Sequence, residues 1–95
     1  MITQEKRQAF YNAMEGELAH AKNVHPDCTW PGDDIIFAVS ILNEEAGKLT
    51  QAANDARLYS EDVNSKDCDV KKYIARVAAM AQRIWVNIPD PAPKA

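Results

Sequence analysis

Charged side chains that could bind a metal ion or a phosphate are concentrated on one predicted helix. Glu44 and Glu45 are adjacent, and Lys48 follows one helical turn later. Residues three or four apart lie on the same side of a helix, so Glu45 and Lys48 are neighbours there. Carboxylate oxygens are the ligands that Mg²⁺ prefers, whereas an ammonium group binds anions. These residue types therefore indicate either a metal site or an anion site.

A second group lies on the next predicted helix, where Arg76 follows Tyr73 by three residues. A guanidinium binds phosphate, and a phenol ring can stack on a base. Each side chain also has an ordinary structural alternative. Glu45 can form an ion pair with Lys48 or Arg76 that holds the helices in register, and Tyr73 can simply pack at the rim.

Three helical segments must position these side chains. Apolar residues repeat at intervals of three and four within about residues 3–22, 34–59 and 70–87, as in helices that bury one face. The middle segment carries an apolar row that we call the α2 seam, and we expect it to pack against other helices. The α2 seam consists of Val39, Leu42, Ala46, Leu49, Ala53 and Ala56. Because the chain shows neither alternating strand patterns nor a glycine-rich phosphate loop, the predicted fold class is all-α.

The segments between and after the helices contain helix breakers. Residues 23–33 include two prolines and a glycine, and they carry Trp30, which can stack on a base or anchor the loop. Residues 60–69 are polar and typical of turns. Three prolines within residues 89–95 prevent a further helix. We therefore predict one helical domain over residues 1–88 and a Pro-rich C-terminal tail over 89–95.

The overall composition limits the function classes. The chain has 95 residues with 46% hydrophobic and 26% charged side chains, which is typical of one small globular domain. A net charge of −3 argues against binding to nucleic acid, which requires a concentrated positive patch. No apolar run approaches the roughly 20 residues of a membrane span, and the N-terminus lacks a secretory signal. We expect a soluble cytoplasmic protein with no nucleic-acid or membrane partner.

Small side chains and the short chain length favour self-association. Three helices with alanine-rich faces rarely form a sufficient core, and residues 52–53 and 78–81 permit close approach of another helix. The sequence therefore predicts a homo-oligomer in which the second and third helices of two copies pair into a four-helix arrangement with additional outer helices. Cys28 and Cys68 lack the spacing of a zinc site, so we interpret them as buried or half-buried thiols.

Three sequence blocks resemble the MazG-like nucleotide pyrophosphohydrolase family. They are WPGDD at 30–34, ILNEEAGKLTQAA at 41–53 and VAAMAQRIW at 77–85, and the resemblance spans about residues 25–88. It implies an all-α helical bundle of the MazG-like type, assembled as a homodimer or homotetramer. Such proteins convert a nucleoside triphosphate to the monophosphate and pyrophosphate, with Mg²⁺ held by acidic residues on two helices.

The chain departs from the family's acidic pattern. That pattern is Glu-Glu-x-x-Glu on the first helix and Glu-x-x-Asp or Glu-x-x-Gln on the second. Glu44 and Glu45 match the paired acids, but Lys48 occupies the third glutamate position. Tyr73 and Arg76 occupy the two positions on the second helix. Since the added cations compete with a metal ion, the resemblance implies a pyrophosphohydrolase whose activity is weak or lost.

The resemblance and the residue chemistry together define the candidate site. Glu44 and Glu45 are the catalytic candidates. The candidate metal ligands are Glu45, Glu44 and Asp55. The expected cofactor is Mg²⁺ if the protein is active, and otherwise no cofactor is expected. The ordinary interpretation of Glu44 and Asp55 is that they are solvated surface carboxylates. The candidates for binding a nucleotide or another small phosphorylated ligand are Lys48, Arg76, Tyr73 and Trp30. The alternatives are a non-catalytic nucleotide-binding or regulatory protein and a purely structural helical oligomer.

Overall fold

A computed structural model describes residues 2–24 and 35–88, apart from the side chains of residues 22–24. It contains three helices in this part of the chain, α1 (Gln4–Val24), α2 (Ile35–Leu58) and α3 (Val70–Asn87), and no strand. The predicted all-α class is therefore confirmed for these ranges. Trp30, Cys28 and the predicted tail at 89–95 lie outside the described residues, and the predicted domain bounds stay a prediction.

Local side-chain and backbone bonds set two of the helix ends. At the start of α1, the hydroxyl of Thr3 accepts a hydrogen bond from the backbone N–H of Lys6 at 3.2 Å, as an N-cap does. At the end of α2, Ser60 adopts a left-handed conformation with φ of 51°. The N–H of Glu61 then donates to the carbonyl of Ala56 at 2.8 Å, which completes a Schellman motif. The α2 helix therefore ends where the polar connection begins.

The connection between α2 and α3 contains the turns that its composition predicts. Asp62 Oδ1 accepts a hydrogen bond from the N–H of Asn64 at 2.9 Å. Ser65 Oγ accepts one from the N–H of Asp67 at 3.2 Å. In such turns, the side-chain oxygens accept hydrogen bonds from backbone N–H groups that would bond to backbone carbonyls in a helix. This connection brings α3 back against α2.

Helix α3 lies between the other two helices and packs against both. Small side chains make this possible, because an alanine at a contact lets two backbones approach closely. The buried residues of the described chain are Met14, Ala38, Ala56, Cys68, Ala75, Ala79 and Ile84. Cys68 is a buried free thiol within the described residues, as the sequence predicts. The core is therefore thin, and α3 is its centre.

The face that α2 turns inward differs from the predicted α2 seam. Ala38 has no exposed surface, and Glu45 is half-buried in the same row, whereas Val39 of the α2 seam is 50% exposed and Ala53 is exposed. Within one chain, the α2 seam is therefore left uncovered at these two positions, and its packing against helices of another copy stays a prediction. The physical reason is that α2 has apolar residues over a wide arc, and α3 packs on the side where alanines permit the closest approach.

Large apolar side chains remain on the surface. Within the described residues no large side chain is fully buried, and Ile36 and Trp85 are both 78% exposed. Ile35, Ile36 and Val39 line a shallow groove at the start of α2. None of the helices of the described chain combines the length and apolar character that crossing a membrane requires. The apolar start of α2 is therefore a surface feature of the chain as described.

The thin alanine core leads to a stability prediction. Ala75→Leu should lower the free energy of unfolding by about 1–3 kcal/mol, because a larger side chain cannot fit between α3 and its neighbours without displacing them. The exposed Ala81→Leu on the same helix serves as the control and should change it by less than about 0.5 kcal/mol. Urea unfolding followed by circular dichroism measures both, and equal effects would contradict this packing.

Candidate functional site

A pocket of about 220 Å³ lies where α1, α2 and α3 meet, and we call it the Arg76 pocket. Its apolar lining consists of Leu18, Ala21, Ala79 and Met80. Its polar lining consists of Glu17, His20, Glu45, Arg76 and Arg83. A few polar groups above an apolar surface are typical of small-molecule sites. The pocket is therefore the main candidate site in the described part of the chain.

Helical spacing explains why these side chains face one space. On α3, Arg76, Met80 and Arg83 lie at intervals of four and three residues, which places them along one side of the helix. On α1, Glu17 and His20 are three residues apart and project toward the same side. The Arg76 pocket thus forms between one face of α1 and one face of α3, with α2 adding Glu45.

An ion pair between α1 and α3 fixes Arg76 at the pocket wall. Its Nε lies 3.2 Å from Glu17 Oε2, and both side chains are largely buried, at 32% and 25% exposed. The guanidinium carbon also lies 5.4 Å from the ring centroid of Tyr73, within cation–π range. Arg76 is therefore held by a carboxylate from α1 and by a ring on its own helix.

Glu45 is paired on its own helix rather than with Arg76. Its Oε1 lies 3.4 Å from Lys48 Nζ, and the Lys48 side chain is 52% exposed. The structural alternative of a Glu45–Lys48 pair is therefore present, whereas Arg76 takes Glu17 as its partner. Glu45 Oε2 is buried and has no hydrogen-bond partner among the described residues. A buried carboxylate oxygen in this state is costly, so it favours any N–H group that can reach it.

The other predicted residues are dispersed. Glu44 and Asp55 are exposed. Asp55 follows Glu45 by ten residues, so it lies about 15 Å further along the helix axis. Tyr73 is half-buried and contacts Lys72 and Arg76 through its ring. The structure brings Glu45 and Arg76 to one pocket and places Glu44 and Asp55 elsewhere on the surface.

The donor set of the Arg76 pocket does not fit Mg²⁺ held by acids on two helices. In the part of the chain that the structure describes, no group of three or more His, Cys, Asp or Glu side chains is placed to hold a metal ion. Both pocket carboxylates already face a cation, Glu17 with Arg76 and Glu45 with Lys48. An ammonium and a guanidinium repel a divalent ion at the oxygens that would bind it.

Three polar residues of the pocket were not predicted as site residues from the sequence, namely Glu17, His20 and Arg83. Arg83 follows Arg76 by two helical turns, so helical spacing was a signal that could have identified it. Glu17 and His20 belong to α1, whose polar residues show no motif. Only the packing of α1 on α3 brings them to the site, and no local pattern in the sequence indicates that contact.

Two guanidinium groups line the pocket. Arg76 and Arg83 are cationic and Glu17 and Glu45 are anionic, so the charges of these lining groups balance. In a protein with net charge −3, the pocket is therefore less negative than the chain as a whole. Arg76 and Arg83 can bind a small phosphorylated molecule, because a few basic groups suffice to bind one phosphate.

Comparison of the chain with protein-family models, with curated proteins and with solved structures found no match. The resemblance to the MazG-like family therefore remains an expectation that rests on three short sequence blocks.

Proposed function

We propose that this protein binds a nucleotide or another small phosphorylated ligand in the Arg76 pocket, as a MazG-like protein whose pyrophosphohydrolase activity is weak or lost. The observation that carries the proposal is the presence of Arg76 and Arg83 above an apolar surface in one pocket. The proposal includes the cytoplasmic location expected from the sequence.

Arg76 can bind a phosphate while it remains attached to α1. A guanidinium has five N–H donors, and Glu17 accepts a hydrogen bond from Nε at 3.2 Å. A phosphate oxygen can accept from the terminal amino groups. Because Glu17 and the ring of Tyr73 hold the guanidinium in place, less conformational entropy is lost when the ligand binds. The ion pair therefore prepares Arg76 for an anion.

The apolar lining of the pocket can contact the base and sugar of the ligand. Leu18, Ala21, Ala79 and Met80 present hydrocarbon to the pocket, and Met adapts its shape to flat rings. The pocket volume of about 220 Å³ is below the range of roughly 300–1,000 Å³ found for drug-sized ligands. A pocket of this size can enclose only part of a mononucleotide, so in this proposal the phosphate lies near the rim.

Charge neutralisation by side chains replaces the metal in this proposal. Phosphoryl-transfer enzymes use Mg²⁺ to neutralise the triphosphate and to position it. Here Arg76 and Arg83 supply positive charge at the pocket, and Lys48 neutralises Glu45. These residues thus support phosphate binding without a metal. They do not supply the acidic residues on two helices that would hold Mg²⁺ for hydrolysis in the MazG-like family.

Nucleotide binding should persist when divalent metals are removed. Isothermal titration calorimetry with mononucleotides should give the same Kd in Mg²⁺ and in a chelator. Arg76→Gln should weaken binding by about tenfold or more, because a charged hydrogen bond contributes roughly 1.5–3 kcal/mol. The control is Arg57→Gln, an exposed cation in the last turn of α2 and outside the pocket. Binding that requires Mg²⁺, or that both variants weaken equally, would contradict the proposal.

The active pyrophosphohydrolase is the second candidate, and family resemblance alone favours it. A variant with Lys48→Glu, Tyr73→Glu and Arg76→Gln restores the acidic pattern. We expect pyrophosphate release from nucleoside triphosphates with Mg²⁺ or Mn²⁺ in this variant and little or none in the unmodified protein. The comparison is made across a panel of triphosphates. Metal-dependent turnover by the unmodified protein would show that the charge argument is wrong.

The expected homodimer or homotetramer is a further part of the proposal. Ile35 lies four residues before Val39, the first residue of the α2 seam. Apolar or small residues therefore repeat along all of α2 at the spacing of a coiled coil. Val39 is 50% exposed and shares a groove with Ile35 and Ile36. Stable interfaces bury roughly 800 Å² on each partner, so the assembly would have to cover this groove together with the exposed part of the seam, Val39 and Ala53. A second copy of the chain, packed along the α2 seam, is the proposed occupant.

A charge placed in the α2 seam should prevent this assembly. Val39→Glu should convert the oligomer to a monomer, because an ionised carboxylate would be buried without a partner at the interface. The control is Val63→Glu, at a similarly exposed valine in the connection between α2 and α3. Light scattering coupled to size-exclusion chromatography at micromolar concentration measures the mass. An unmodified protein that is monomeric there would refute the oligomer.

A further inference from the structure

We infer that Glu45 recognises the base of the bound nucleotide and selects guanine. This inference rests on the proposed function and assigns a base to the same pocket. Its starting point is that the polar lining is chemically mixed, since Arg76 and Arg83 suit a phosphate whereas Glu45 does not. A carboxylate that lines an anion-binding pocket repels the anion, so another part of the ligand must face it.

The hydrogen bonding of the Glu45 carboxylate indicates which chemical group of the ligand faces it. Its side chain is only 16% exposed, and Oε1 has a single long contact of 3.4 Å to Lys48. Oε2 is buried with no hydrogen-bond partner in the described ranges. An ionised carboxylate accepts hydrogen bonds only, and its two oxygens can accept two parallel N–H donors. The carboxylate therefore has the capacity for a ligand with N–H groups.

The carboxylate can turn toward the pocket. Oε2 is buried as the side chain stands, but the terminal torsion of glutamate is broad and has no strong staggered preference, so a partial rotation can turn both oxygens toward the pocket at low cost. Lys48 is 52% exposed and its contact with Glu45 is long, at 3.4 Å, so this ion pair is weak and its separation costs little. A ligand that supplies two N–H donors can therefore displace Lys48 and satisfy Oε2 together.

Guanine is the neutral nucleobase that presents such a pair. Its ring N1–H and its 2-amino group lie side by side on one edge, whereas adenine offers a ring acceptor beside its amino group. Hypoxanthine retains the ring N–H and lacks the 2-amino group. Because a carboxylate has no donor for the ring acceptor of adenine, adenine would leave Glu45 unsatisfied and would lose affinity. The pocket then holds the guanine edge at Glu45 and the phosphate at Arg76 and Arg83.

The test measures base preference by isothermal titration calorimetry with GMP, IMP and AMP. The unmodified protein should bind GMP about tenfold or more tightly than AMP, with IMP between them, since a bidentate base contact discriminates by roughly one to two powers of ten. Glu45→Gln should reduce the GMP preference to a few-fold and retain AMP binding. The control is Glu61→Gln, an exposed carboxylate in the connection after α2, which should keep the preference.

Each outcome separates this inference from the proposed function. Equal binding of GMP and AMP, with both weakened by Arg76→Gln, would overturn the guanine assignment and leave the phosphate site intact. A Glu45→Gln variant that keeps the full GMP preference would show that another group recognises the base. Loss of AMP binding in that variant would show that Glu45 is structural and would also overturn the assignment. If no nucleotide binds the unmodified protein, the proposed function and this inference fail together.

Discussion

The position of α3 between α1 and α2 is the constraint on which the rest of the structure depends. A helix that packs on two sides needs small residues at both contacts, and α3 supplies Ala75 and Ala79 among its buried positions. Close approach of the backbones then brings the charged residues beside these alanines into range of both neighbours. Arg76 reaches Glu17 on α1 for this reason, and Ala79 becomes part of the lining of the Arg76 pocket.

The charged residues of the pocket come together through that packing. Lys48 and Arg76 each lie next to a carboxylate, so the site contains paired charges rather than an acidic cluster. Paired charges in a half-buried place are costly to separate and are weak ligands for a divalent ion. A pocket of this kind suits a ligand that itself carries both an anionic group and hydrogen-bond donors. The proposed phosphate site therefore depends on the same residues that make a metal site unfavourable.

The small size of the core has consequences for assembly. Alanine buries little apolar surface, and the described residues leave large side chains such as Ile36 and Trp85 exposed. The hydrophobic effect is roughly proportional to the area removed from water, so contacts among the described residues contribute little of it. A second copy packed along the α2 seam, as proposed, would bury more apolar surface.

The sequence by itself determined the three helices, their approximate ends and the polar turn between α2 and α3, because these depend on local periodicity and on residues such as Thr3 and Ser60. It also identified Glu45, Lys48 and Arg76 as the residues with unusual charge. Tertiary structure alone decided which face of α2 packs inward and that Arg76 pairs with Glu17 rather than Glu45. Glu17 and Arg76 are 59 residues apart, and no local spacing encodes which helix faces will meet. That choice depends on how closely whole helices can approach, which is a property of the packed chain.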